Sequence, residues 1–247
     1  MKKQIVLTVA ESKRLIAKGV AAMPIVKKAM KDGMVVVPTG TTTAYVLEEL
    51  WGKKFDKRTY RSGITIPATP DKLDEPQGER MPDVVFRKGE VVKELDRFTA
   101  PKEMGRNDVF IKGANALDYK NQMAGVLIGS PIGGTVGGSL GNIIGRKIKL
   151  IIPVGLEKQV YEDINELHRL VSSEDYEGPS LWPITGIIVT EIEALNILTG
   201  VEATLISAGG IAGAEGSVRL LLDGSEEQVE AALDFLKTIQ GEPRYLL

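Results

Sequence analysis

The chain has 247 residues with 31 basic and 33 acidic side chains, a formal net charge of -2 and a hydrophobic content of 43%. That balance lacks the basic excess of a polyanion binder, so nucleic acid is not an expected partner. With no cysteine and one histidine, His168, disulfides, thiolate zinc sites, cysteine nucleophiles and multi-histidine centres are excluded. No metal and no cofactor are expected. Carboxylate, lysine, hydroxyl and backbone-amide chemistry remain.

Met1-Lys2-Lys3 resembles the start of a signal peptide, but Lys13, Arg14 and Lys18 interrupt the apolar run, and a cytoplasmic protein is expected. Ile5-Val6-Leu7 reads as a strand, followed from about Glu11 by a helix with Leu15, Ile16, Val20 and Met23 on its apolar face. Pro24 breaks that helix or restarts it, and Gly33 supplies a stop. Met34 to Val37 is a non-alternating, β-branched run, as expected of a strand buried on both faces. Thr39-Gly40-Thr41-Thr42-Thr43 turns from it into a helix marked by Ala44, Leu47, Leu50 and Trp51.

Prolines 67, 70, 76 and 82 punctuate residues 55–106, which read as an elaboration or flap, with short strands at Val84–Phe86 and Val91-Val92 joined at Lys88-Gly89. Strands return at 109–111, 126–128 and 148–152, and apolar positions 160, 164, 167 and 171 keep helical spacing. Residues 123–145 carry no charge, with glycines at 133, 137, 141 and 145, but eight glycines and Pro131 make a poor membrane span. No membrane partner is expected. The last third runs strand 187–189, helix 191–199, strands 203–207 and 218–222, and helix 226–240, with Tyr245-Leu246-Leu247 as a possible last strand. This is a ferredoxin-like order. The expected fold class is α/β, with residues 1–178 as a ligand-binding domain and 179–247 as a small α+β domain.

Three loops are candidate sites. Thr39, Gly40, Thr41, Thr42 and Thr43 lie where a helix start offers unpaired N–H groups and positive potential to an anion, though threonines can also simply cap the helix. Gly113, Asn115 and Asp118 follow the 109–111 strand, and the carboxyl end of a parallel strand borders the usual ligand crevice. Asn115 and Asp118 suit sugar hydroxyls and Asp118 a general base; an Asx-type turn uses the same residues. Gly133, Gly134 and Thr135 belong to a glycine-rich loop in which Gly129 and Gly134 have the spacing of a nucleotide-triphosphate loop, but Thr135 stands in place of its lysine and the dinucleotide fingerprint is not matched, so close packing and ligand access both stay open. Glu191, at a strand end, is a second candidate catalytic carboxylate. Glu193 and Gln228 fit reciprocal capping patterns, and His168 reads as a surface or satisfied residue.

The Pro-Thr-Gly-Thr-Thr-Thr-Ala turn resembles the sugar-phosphate loop of the ribose-5-phosphate isomerase, glucosamine-6-phosphate deaminase and CoA-transferase superfamily. Gly-Ala-Asn-Ala-Leu-Asp at 113–118 is similar to a Gly-Ala-Asp-x-Val-Asp run of the isomerase branch, and residues 129–138 match its next glycine-rich element in order. The resemblance spans roughly residues 34–155. It implies a Rossmann-like, largely parallel sheet with helices on both faces, and a pocket built from the three loops. The isomerase's lysine and catalytic glutamate have no counterpart in 132–145, and Asn115 replaces an aspartate. The segment Ser-Ala-Gly-Gly…Gly-Ser-Val-Arg also resembles small shell-type domains of bacterial microcompartments. The expectation is therefore a binder of a small phosphorylated or carboxylated metabolite, of isomerase or transferase type or a non-catalytic binding or assembly protein, forming a homo-oligomer.

Overall fold

The structure, a computed structural model, describes residues 1–63, 65, 66, 68 and 79–245. Prolines 67, 70 and 76, and residues 246 and 247 of the expected last strand, lie outside them; Tyr245 is in no strand. Among the described residues the chain is mixed α/β, with seven helices and a six-stranded mixed sheet at its centre.

Strand β1 (Lys2–Leu7) leads into α1 (Val9–Ala22), whose start is closed by a reciprocal Thr8–Glu11 cap. Pro24 restarts the chain as the first residue of α2 (Pro24–Asp32), where its missing N–H costs nothing. Strand β2 (Met34–Val37) is buried throughout, as its unbroken apolar run requires, and α3 (Thr41–Trp51) follows. β3 (Val84–Arg87) and β4 (Glu90–Val91) form a hairpin whose turn residues Lys88 and Gly89 both have positive φ, 51° and 83°. That is the primed geometry a two-residue hairpin needs.

Next come β5 (Val109–Ile111), β6 (Ala116–Asp118), β7 (Met123–Ile128), α4 (Gly134–Gly145), β8 (Lys149–Pro153) and α5 (Ile164–Leu170). The chain ends with β9 (Ser180–Ile184), β10 (Ile187–Val189), α6 (Glu191–Thr199), β11 (Glu202–Ala208), β12 (Val218–Asp223) and α7 (Glu226–Lys237). The central sheet runs β10-β8-β5-β2-β3-β4. Its first four strands are parallel, and β3 and β4 extend it antiparallel at the β2 side. Two three-stranded antiparallel sheets accompany it: β1-β12-β11, from the two ends of the chain, and β6-β7-β9, inserted between strands of the central sheet.

Several expectations are revised. The run 113–118 is not one turn: its second half is β6, paired with β7. The helical spacing at 160–171 yields a helix only over 164–170, because Val160 N–H is taken by Leu117 O and Asp163 caps the helix behind it. β9 carries Pro183, tolerated because β9 is an edge strand. The boundary expected at 178–179 is crossed by three strand pairings: β9 with β7, β10 with β8, and N-terminal β1 with β12. The uncharged stretch divides into β7 and α4, and no described helix is long and apolar enough to cross a membrane.

One main hydrophobic cluster runs from Leu7 to Ile239. α1 lies against both α3 and α6, with Gly19 so close to α6 that a Cβ there would sit 2.6 Å from Ala194 Cβ. Arg14 fixes α3 from beneath. Its guanidinium, 3% exposed, pairs with Glu48, with Glu49 at 2.8 Å and with Glu242 at 2.8 Å. The C-terminal half of α3 is thereby tied to α1 and to the segment carrying Glu242.

Candidate functional site

Parallel β2, β5 and β8 finish on the same edge of the sheet, so the segments after them converge. With the loop before α4 and parts of residues 61–63, 80–83 and 96–98, they enclose a cleft of about 780 Å³. All ten ligand-binding candidates, Thr39 to Thr43, Gly113, Asn115, Gly133, Gly134 and Thr135, line it. The elaboration at 55–106 supplies a wall.

The backbone accounting at α3 favours an open site over a capped helix. Thr39 N–H donates to Asp83 Oδ1 (2.9 Å) and Gly40 N–H to Tyr60 O (3.1 Å). The N–H groups of Thr41, Thr42 and Thr43 make no hydrogen bond among the described residues, and Gly40 offers no side-chain cap. The Thr43 hydroxyl donates the other way, to Pro38 O (2.7 Å). α4 repeats the arrangement. Gly133, at φ 78°, brings the chain into the helix without a side-chain cap, and the N–H groups of Gly134, Thr135 and Val136 are likewise unused. Two helix starts with positive potential therefore face one cleft.

Arg97 ties them together. Its guanidinium pairs with the nearly buried Asp83 carboxylate and donates to Thr39 Oγ1 and Thr135 Oγ1, each at 2.7 Å. Its own carbonyl is held by the buried Ser139 hydroxyl (2.7 Å). Arg97 thus fixes the spacing of the two threonine-bearing loops.

The lining charge is strongly positive. Arg61, Arg80, Arg97, Lys112 and Lys158 face Asp83 and Asp96. Asp83 is committed to Arg97, and Asp96 accepts from the N–H groups of Phe98 and Thr99. Arg61 Nη1 is enclosed without a hydrogen-bond partner among the described residues. Lys112 donates to Gly113 O and Lys158 to Ala114 O, both at 2.8 Å, so the two amines are anchored on adjacent carbonyls. Burial lowers the Lys112 pKa to about 8, helped by the charges of Lys158 and Arg97. Burial also lowers Lys158, opposed by Glu157 and Glu191.

The two proposed catalytic carboxylates lie elsewhere. Asp118 ends β6 and accepts from Asn121 N (3.0 Å) and Nδ2 (2.8 Å), which is the Asx-type turn. Glu191 is fully buried, accepting from Leu156 N–H (2.9 Å); burial and the Glu157 charge raise its pKa to about 7. Neither lines the cleft. Asn115 does, but its Oδ1 accepts from Leu127 N–H (3.0 Å) and pins β7. His168 Nδ1 bonds Leu181 O (2.7 Å) and its ring meets Trp182 edge-on, a structural role. Glu193 and Gln228 close capping boxes. Among the described residues no three of His, Asp or Glu are grouped as metal ligands.

The basic residues were not singled out in the sequence. Lys112 was legible by the same carboxyl-edge argument that pointed to Asn115, since it follows β5 directly. Arg97 and Arg61, in a region without periodicity, carried no such signal. No protein-family profile matches the sequence, and no curated protein or solved structure does either.

Proposed function

We propose that the cleft binds a small metabolite carrying a phosphate or carboxylate group. The observation that carries this reading is the coincidence of two uncapped helix starts with Arg61, Arg80 and Lys112, which have no carboxylate partner among the described residues. Cations kept this close together repel one another and lose hydration, and an anionic ligand offsets both costs. A Rossmann-like core of the sugar-phosphate isomerase and CoA-transferase kind is part of the proposal. It is supported by four parallel strands and by the resemblance of the three loops now seen around one cleft. A ferredoxin-like origin for β11, β12 and α7 rests on element order alone, since β1 rather than β10 completes their sheet.

The test is thermal unfolding and titration calorimetry with inorganic phosphate, sugar phosphates and small carboxylates. A ligand at 100 times its Kd should stabilise the fold by about 2.7 kcal/mol. Indifference to every anion would overturn the reading. Binding with conversion marks an enzyme, and binding without it marks a non-catalytic binding or assembly protein.

A further inference from the structure

The two lysines of the cleft are more than anion ligands. Lys112 rises from the end of β5 over an apolar floor that includes Phe110, Val136, Leu140 and Leu150. Among the described residues its only side-chain hydrogen bond is to the carbonyl of its neighbour Gly113. The charged groups that face it are Lys158 and Arg97; Arg61 and Arg80 lie on the same cleft, and Asp83 is taken up by Arg97. Among the described residues no carboxylate pairs with Lys112. Lys158 differs: its surroundings include Glu157 and Glu191, each with one enclosed carboxylate oxygen lacking a partner among the described residues.

We infer that Lys112 is a nucleophilic amine that condenses with the aldehyde or ketone of an anion-bearing ligand to form an imine, an inference that rests on the anion-binding reading above. The nitrogen lone pair attacks the carbonyl carbon, a C–N bond forms, and the C=O π pair moves to oxygen, which takes up the proton that nitrogen sheds. The C–O bond then breaks and oxygen leaves as water with a second proton, from the Lys158 ammonium. The imine nitrogen's remaining proton returns to Lys158, so one water is released and nothing is oxidised or reduced. The charges of Glu157 and Glu191 near Lys158 favour its protonated form, which supplies the second proton. An amine neutral near pH 8 is suited to this chemistry.

The probe is pyridoxal 5′-phosphate, a phosphorylated aldehyde, followed by borohydride reduction and peptide mass mapping of the full chain. At pH 8 Lys112 has roughly 10²-fold more neutral amine than an ordinary lysine, so it should label about that much faster than exposed lysines, with a midpoint near pH 8. Inorganic phosphate should protect it, and pyridoxal, which lacks the phosphate, should react at least about tenfold more slowly. Lys112→Arg, keeping the charge, should abolish the adduct with an unchanged circular dichroism spectrum. Labelling at Lys158 instead, or spread over surface lysines, overturns the inference even where calorimetry shows phosphate binding. Lys112 labelled equally fast by both aldehydes overturns its anionic partner and, with it, the anion reading.

Discussion

Arg97 and Asp83 form an ion pair in the wall of the cleft whose carboxylate also accepts the Thr39 N–H, so one acidic side chain positions a guanidinium and a helix-entry loop together. Asp83 is 5% exposed, so solvent has little access to replace these partners. Asp83→Asn would turn one acceptor oxygen into a donor facing guanidinium N–H groups. A loss of about 1–3 kcal/mol is expected. It should appear in urea unfolding as a lower midpoint with an unchanged slope, because the surface exposed on unfolding is the same. An unchanged midpoint would show that Arg97 is held mainly by Thr39 and Thr135.

Thr41→Asp separates stability from binding at the first helix. A carboxylate in the first turn of α3 interacts favourably with the helix dipole, adding about 0.3–1 kcal/mol to stability. The same charge sits where the free N–H groups await an anion, and repulsion should weaken inorganic phosphate binding by about tenfold in Kd. Opposite signs in unfolding and calorimetry are the expected outcome. Undiminished phosphate binding would place the anion away from α3.

Asp118→Asn tests the residue that sequence reasoning favoured as a base. Its carboxylate closes the turn to Asn121 outside the cleft. Asn keeps one acceptor oxygen, so the expected loss is about 1 kcal/mol of stability. Phosphate affinity should not move in calorimetry. A changed affinity would mean that the β6–β7 turn communicates with the cleft.

What the sequence made legible follows from how local each cause is. The run Met34–Val37 announces a strand buried on both faces, and the Thr39–Thr43 turn announces a helix start, because both patterns are contained within a few residues. The Lys88-Gly89 hairpin and the capping pairs at Glu193 and Gln228 are equally local. β6 and β9 were missed because each gains its stability by pairing with β7, and β9 begins 52 residues after β7 ends. Arg97 draws its meaning from Asp83, Thr39 and Thr135, which no spacing rule connects. Asp118 and Asn115 read the same as site residues or turn residues until their partners, Asn121 and Leu127, are seen.

Glu191 makes stability depend on pH in a direction opposite to that of most carboxylates. Burial first, and then the Glu157 charge, raise its pKa from an ordinary 4.5 to about 7. The folded chain therefore keeps this proton up to about pH 7, whereas the unfolded chain releases it near 4.5. Between those values the folded state binds more protons, so stability falls as pH rises and then levels off. Lys13, lowered to about 8 by burial and the charge of Lys158, acts in a higher window, between about 8 and its ordinary 10.5, where stability rises with pH. Glu191→Gln removes the ionisation and keeps an oxygen for Leu156 N–H. The variant should match the wild type near pH 4.5 and exceed it above pH 7, by up to about 3 kcal/mol. Urea midpoints of both proteins at pH 5 and pH 7.5 measure the difference. A gap that is the same at both pH values would mean that Glu191 is ionised in the folded chain, with Lys158 as its cationic partner.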